Sequence, residues 1–395
     1  MGSVGARDDG IYCLAYSPEE DRAHELAAAF MEEAGLAVRR DAAGNLIGRR
    51  EGGDPTLPVV VTGSHLDSVY CGGIFDGRLG VAAGIEALQA MAENGIKTRH
   101  PVEVCAYRAE EGTRFKGDIS GARHMTGSGA EADLAQADRD GVTLGEALAA
   151  RGIDPVLARS ASLPRGYAKA HVELHIEQGP VLEEREVPVG IVSAVSCQTR
   201  AECVVRGRAA HAGATPFPSR RDALCAAAEI ILAVEEEGRG RDGCAATVGE
   251  LRIFPGGVNV VPGGARFSVD VRHVDPAVKN RVFEEIVGRA ETICRLRRLE
   301  WELRPGVNQN EALPCHPDIV SLLSSVCERL GYPVATLPSG AGHDSTSFMR
   351  ICPTGMIFVR SRNGLSHNRD EYSSPADCLA GATVLYHALV ELAGG

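Results

Sequence analysis

The 395-residue sequence predicts an α/β fold: a mostly parallel sheet with helices on both faces, plus an inserted smaller α+β domain with a four-stranded antiparallel sheet. Three observations predict it. Short apolar strands alternate with helical segments through the N-terminal part of the chain. From about Ser196 the pattern changes to closely spaced strands with two helices. After about Asn310 the first alternation resumes. The predicted division is therefore 1–196 and 311–395 for the larger domain and 197–310 for the insert. The length alone favours two domains, because single cores stop growing near this size.

Each element has a local reason. Ser17 can cap a first helix, Pro18 suits its first position, and Glu20 completes a capping box. Ala23, Leu26, Ala27, Phe30 and Met31 recur at helical spacing, and Gly35 suits the end. Pro58–Thr62 is a short apolar run that reads as a buried strand. A helix is predicted from Arg78 to Glu93, and Val102–Tyr107 is a second strand. In the insert, Ala201–Val205, Ala245–Phe254, Ala265–Val271 and Trp301–Arg304 read as strands. Arg221–Val234 and Pro276–Ile293 read as helices. Further on come a helix over Asp318–Leu330, a strand near Val334–Leu337, a buried strand at Gly355–Val359 and a last helix near Ala376–Leu392.

Composition narrows the function. Hydrophobic residues make up 44% and charged residues 24%, which argues against extended disorder. The net charge of −12 disfavours a general nucleic-acid surface, so an anionic ligand needs local cations. The sequence holds no run of about 18 apolar residues, and no membrane partner is expected. Met1–Gly10 has no apolar leader, which predicts a cytoplasmic protein. The 12 cysteines form no C-x-x-C pair and are expected as buried thiols.

The chemistry lies at predicted strand ends. His65-Leu66-Asp67 follows one strand, and Gly72-Gly73-Ile74-Phe75-Asp76-Gly77 precedes a helix. Glu110-Glu111-Gly112 follows another strand. His175-Ile176-Glu177-Gln178-Gly179 and Ser366-His367-Asn368 lie further on. Ligands of open α/β sheets bind beyond the carboxyl ends of strands, so these segments point to one crevice. Imidazole and carboxylate donors suit Zn²⁺, Mn²⁺, Co²⁺ or Ni²⁺. Three histidines and two carboxylates can hold two ions if one carboxylate bridges them, and in a Glu-Glu pair one member can stay free as general base. A single histidine is usually structural and a lone Glu-Glu pair usually solvated; the assembly of all five segments carries the reading. His171 and His175 have the spacing of a helical zinc pair, but the alternation around them reads as a strand, so only His175 is taken as a ligand.

These segments resemble the hydantoinase/carbamoylase branch of the dimetal aminoacylase and carboxypeptidase superfamily, which includes N-carbamoyl-L-amino-acid hydrolases, β-ureidopropionases and allantoate amidohydrolases. The match runs in order through Gly63–Val69, Gly72–Gly77, Glu110–Gly112, Glu173–Gly179, Ala210-His-Ala-Gly213, Gly340-Ala-Gly-His-Asp344 and Leu365–Asn368. His-Ile-Glu-Gln-Gly is its most branch-specific piece. The resemblance implies two divalent ions, with His65 and His175 on one, Glu111 and His367 on the other, and Asp76 bridging. It implies Glu110 as general base and Asp67 as the carboxylate that orients His65. Gln178, His211, Asn259, Arg272, Gly342 and His343 are implied substrate contacts, with Arg272 as a carboxylate clamp. The insert is implied to be a lid and dimerisation domain of a homodimer. The implied activity is hydrolysis of an N-carbamoyl amino acid or a close ureido acid. An aminoacylase or dipeptidase is disfavoured by His175, and an inactive metal-binding scaffold by the presence of Glu110 with all five ligand candidates. Two departures stand out: Cys71 in the loop before Asp76, and Arg123-His124, where relatives carry Arg and a small residue.

Overall fold

The computed structural model describes residues 1–115, 120–129, 133–306 and 311–395. It divides into two compact units, one of Met1–Ser193 with Pro314–Gly395, the other of Ala194–Leu313. The predicted boundary at residue 310 falls in 307–310, outside the described residues.

The first unit is built on a nine-stranded sheet. Its centre is parallel: Val102–Tyr107, Val59–His65, Ala168–Ile176 and Thr354–Val359 lie side by side in that order. The sheet is mixed, however, and not mostly parallel. Leu46–Arg50 runs antiparallel to Val102–Tyr107, with Ala37–Arg40 beyond it, and Val189–Val195 runs antiparallel to Thr354–Val359. Both faces of the parallel centre are covered, so its strands are buried almost throughout, although Ala168–Ile176 alternates apolar residues with the buried His171, Glu173 and His175.

The two faces are covered differently. Val60, Val102, Val104, Val172, Leu174, Ile357 and Val359 pack against the long helices Pro18–Glu33, Arg78–Glu93, Pro317–Arg329 and Pro375–Ala393. Val59, Val61, Cys105 and Tyr107 meet the short helices Gly121–Met125 and Ser345–Phe348. Pro375–Ala393 is long and apolar enough to cross a bilayer, but Ala380, Val384, Leu385, Ala388 and Leu389 are core residues here. All 12 cysteines are free.

The first helix departs from expectation in a way that matters for the site. Ser17 Oγ accepts from Glu20 N (3.2 Å), and Pro18 starts the helix. The Glu20 carboxylate, though, accepts from Tyr16 N (2.7 Å), Arg108 Nη1 (2.7 Å) and Ala109 N (3.1 Å). The helix therefore buries Glu20, Ala23, His24, Ala27 and Met31, and leaves Leu26 and Phe30 about two-fifths exposed. A polar demand from the Arg108–Ala109 loop sets which face turns inward.

In the second unit, Cys197–Arg206, Gly264–His273 and Glu300–Pro305 form the body of an antiparallel sheet, which packs with the helices Ala223–Arg239 and Pro276–Arg297. The sheet has five strands, not four. The segment expected as one strand over 245–254 breaks into Ala245–Thr247 and Leu251–Phe254, both on Gly264–His273. At the break, Ser268 Oγ accepts from Gly249 N (3.2 Å) and Glu250 N (3.1 Å), while Ser268 N donates to Glu250 O (3.1 Å), so a side chain takes the N–H groups the regular ladder leaves unpaired.

Candidate metal centre

Four adjacent parallel strands deliver the site from their carboxyl ends. His65 ends Val59–His65 and is in register with Tyr107, three residues before Glu110. His175 is in register with Phe358, near the end of the strand that leads to His367. The turn carrying Asp76 opens the helix Arg78–Glu93. Gly77 takes φ 65°, and a Cβ there would lie 2.5 Å from the His65 ring, so the tight Asp-Gly turn is what lets Asp76 meet His65.

Asp76 is the hub. Its Oδ1 lies 3.3 Å from His65 Nε2 and 3.0 Å from His175 Nε2. Its Oδ2 lies 3.5 Å from His367 Nε2, which is 3.5 Å from Glu111 Oε2. Two donor groups, His65–Asp76–His175 and Asp76–Glu111–His367, thus share one carboxylate and use opposite oxygens of it. His65, His175 and Asp76 are buried, whereas half of the His367 side chain is exposed. Glu110 Oε2 is 4.0 Å from His65 Nε2 and belongs to neither group.

The imidazoles are presented for ligation. His175 Nδ1 donates to Ile176 O (2.9 Å), and His65 Nδ1 to Asp67 O (3.1 Å), which turns both Nε2 atoms toward Asp76; His175 Nε2 also accepts from Gly77 N (3.3 Å), the N–H that follows Asp76. The Asp67 carboxylate is farther from His65 Nδ1, at 3.5 Å. Its nearer partners are the backbone N–H groups of Glu110 (3.1 Å) and Glu111 (3.2 Å), so it organises the loop that carries both glutamates as well as facing His65. Ala109, Gln178 and His367 hold positive φ (57°, 61° and 53°). Such strained residues gather where a site dictates backbone geometry.

The electrostatics favour cations. Burial opposes charge on both rings, but Asp67 and Asp76 outweigh it at His65, and Asp76 with the Glu173 charge outweighs it at His175, so both imidazoles are raised above their ordinary range. Burial pushes Glu110 up to about 7; His65 opposes it, and the Asp67 and Asp76 charges add to it. Burial, then Asp76, raises Glu111 well above the usual carboxylate range. Asp76 and Glu111 with three imidazoles form a hard and borderline donor set that suits two divalent ions, and Asp67 and Glu110 stand beside it outside both groups.

The other expected contacts fall in two places. Gln178 Nε2 donates to Asp76 Oδ2 (2.7 Å). His343 is buried, 2.7 Å from Ser339 Oγ, with its ring edge-on to His175 at 4.6 Å. Gly342 precedes it, with open space where a side chain would be. The second unit carries His211, Asn259 and Arg272. His211 pairs with Val260, and Asn259 O accepts from Ala212 N (2.9 Å), so these two share a small ribbon. His211 Nδ1 accepts from Gly213 N and Ala214 N (both 3.1 Å), which puts its proton on Nε2. Arg272 forks onto Asp270 through Nε (2.9 Å) and Nη2 (3.0 Å). Cys71 Sγ lies against the Tyr12 hydroxyl (2.8 Å).

Sequence reading missed several residues. Glu20 and Asn45 hold the backbone of Ala109 and Arg108, and Ser366 and Glu371 meet the Asp76 turn. A third donor group, Glu173–His175–His343, was not foreseen. Its Glu173 is already engaged by Ser64 Oγ (2.8 Å), Ser345 N (2.8 Å) and Ser345 Oγ (2.6 Å).

A carboxylate shared between two His/acid groups at the strand ends of such a sheet is a site that could hold two metal ions. The chain belongs to peptidase family M20/M25/M40, whose model matches residues 61–391. Among its relatives is an N-carbamoyl-L-amino acid amidohydrolase of Geobacillus stearothermophilus, 46% identical over 100% of this chain and 97% of that protein. Allantoate deiminase 2 of Glycine max is 34% identical over 94% of this chain and 83% of that protein. A solved amidase of the hydantoinase/carbamoylase family from Burkholderia multivorans superposes with a TM-score of 0.90 at 35% identity, covering 100% of this chain and 95% of that one.

Proposed function

We propose that the protein hydrolyses the ureido C–N bond of an N-carbamoyl-L-amino acid, giving the amino acid, carbon dioxide and ammonia. The observation that carries the reading is Asp76, whose two oxygens serve two donor groups while Glu110 stands unligated beside them. The 46% identical amidohydrolase supplies the substrate class. His65, His175 and Asp76 would hold one ion, and Asp76, Glu111 and His367 the other, with Zn²⁺, Mn²⁺, Co²⁺ and Ni²⁺ all compatible. Such a pair supplies Lewis-acid polarisation of the carbonyl and acidifies water toward neutrality.

The chain's own residues do the rest. Glu110 accepts the proton of the attacking water and passes it to the leaving nitrogen. His211, with its proton on Nε2, donates to the oxyanion. Arg272 and Asn259 bind the substrate carboxylate, with Asp270 holding the Arg272 fork in orientation. Gln178, Gly342 and His343 line the ureido end. The second unit is read as lid and dimerisation domain of a cytoplasmic homodimer; the exposed Leu251, Ile253 and Phe254 on its outer strand support the dimer.

The allantoate deiminase relative favours a second substrate, allantoate. Ammonia release from a panel of N-carbamoyl-L-amino acids, N-carbamoyl-β-alanine, allantoate and an N-acetyl amino acid, before and after chelation and remetallation, tests both. Fastest chelator-reversible turnover of an N-carbamoyl-L-amino acid is expected. Fastest turnover of allantoate moves the assignment to the second reading, and hydrolysis of none of them rejects both.

A further inference from the structure

Asp76 and His367 are 291 positions apart in the chain, yet the two donor groups of the proposed dimetal site share Asp76 and one of them needs both. Something must hold the two loops in register. The buried Glu371 carboxylate meets both. Its Oε1 accepts from Phe75 N (2.9 Å) and Asp76 N (3.0 Å), the backbone of the Asp76 turn. Its Oε2 accepts from Ser366 Oγ (2.9 Å), the residue before His367, and Ser366 Oγ is also 2.8 Å from Asp76 Oδ2. Glu371 N donates to Asn368 O (3.1 Å), which folds the carboxylate back under its own loop. Tyr372 stacks edge-on against Phe75 at 5.8 Å, a second contact between the same two loops. Gly73 leaves room for all this: a Cβ there would lie 2.2 Å from Glu371 Oε1 and 2.4 Å from its Cβ, so a larger residue displaces the whole side chain.

We infer that Glu371 is a positioning residue, a clamp that joins the Asp76 turn to the His367 loop and so brings the two halves of the metal centre together. The inference rests on the dimetal reading proposed above. The clamp works through hydrogen-bond geometry, not through charge. A glutamine at this position satisfies every partner: its oxygen accepts from both N–H groups, and its amide donates to Ser366 Oγ, whose own proton then goes to Asp76. Alanine leaves two backbone donors without an acceptor and frees Ser366.

The test is metal affinity, read by competition with a chromophoric chelator using Zn²⁺ and Mn²⁺ on the full-length protein, alongside amide hydrogen exchange at Phe75 and Asp76 in the metal-stripped protein. Outer partners of metal ligands typically change affinity about 10–100-fold. Glu371→Ala is expected to weaken at least one ion in that range and to speed exchange at both amides. Glu371→Gln is expected to stay within about threefold of the parent protein on both readouts. Gly73→Ala, which keeps the carboxylate but pushes it aside, is expected to behave like Glu371→Ala, and serves if that variant does not fold. Unchanged affinity in Glu371→Ala or Gly73→Ala overturns the clamp, and a Gln variant as impaired as the Ala variant overturns its geometric basis. Neither readout uses substrate turnover. Failure of the clamp therefore appears as unchanged affinity in the variants, whereas failure of the dimetal reading appears as a parent protein that binds fewer than two ions.

Discussion

Asp67 offers a sharp test of how the centre is held. Its two oxygens each take one backbone N–H, from Glu110 at 3.1 Å and Glu111 at 3.2 Å, and the same carboxylate faces His65 Nδ1 at 3.5 Å. Asp67→Asn preserves size but presents one oxygen and one NH₂. Whichever way the amide turns, one of the two backbone donors faces another donor. A hydrogen bond to a charged group contributes about 1.5–3 kcal/mol. Losing one shifts the loop that carries both the proposed base and a proposed ligand, and converts to an affinity loss of about 10–150-fold. The His65 tautomer survives, because its Nδ1 proton goes to the Asp67 carbonyl, a backbone group. The damage should therefore fall on the Glu111 side of the centre. Chelator competition should resolve one weakened ion and one nearly normal ion, with kcat/KM reduced in parallel. Equal loss of both ions, or affinity within about threefold of the parent protein, would refute the division of labour between the Asp67 carbonyl and its carboxylate.

Other outcomes follow from the same geometry. Glu110→Gln should retain both ions in elemental analysis yet lose about 10²–10⁴-fold in turnover, since the group lies outside both donor sets; retained turnover rejects it as the base. Arg272→Ala should raise KM for a carboxylate-bearing substrate about 10–150-fold with metal content unchanged, as one charge-assisted contact is lost, and Asp270 keeps Arg200 as partner (2.9 Å). His171 is buried, stacked on Phe348 at 4.1 Å, and burial lowers its pKa to about 3. Its unfolded value is higher, so below roughly pH 6.5 the unfolded chain takes up a proton that the folded chain refuses. Folding stability should then fall by about 1.4 kcal/mol per pH unit on this account down to the folded pKa. Chemical denaturation of His171→Leu between pH 7 and 5 should show a shallower acid slope, and identical slopes would remove the assignment.

What could be read from the chain was whatever one local pattern determines. The helix Arg78–Glu93 and the strand Val102–Tyr107 fall where they were expected, because each is a largely apolar stretch that is mostly buried in the fold. The candidate segments were legible for a related reason, since four of the five lie next to predicted strands, whereas the assignment of His65, Asp76, Glu111, His175 and His367 as the individual ligands came from the family resemblance. What a local pattern does not determine is which distant groups share a hydrogen bond. The break between Thr247 and Leu251 depends on the Ser268 hydroxyl from another strand, and the inward face of the first helix on an arginine 88 positions away. The outer strands Ala37–Arg40 and Leu46–Arg50 carry two arginines each and look like a charged loop until the sheet edge pairs them. Glu371 is the clearest instance. In Ser-His-Asn-Arg-Asp-Glu it reads as one more acid in a solvated run, and its use appears only when the Asp76 turn closes over it. Polar positioning groups of this kind leave no periodic trace, because their partners are backbone N–H groups that any sequence supplies. They are found by asking where the backbone hydrogen bonds of a strained ligand loop go, and for the Asp76 turn the answer is a carboxylate from the far end of the chain.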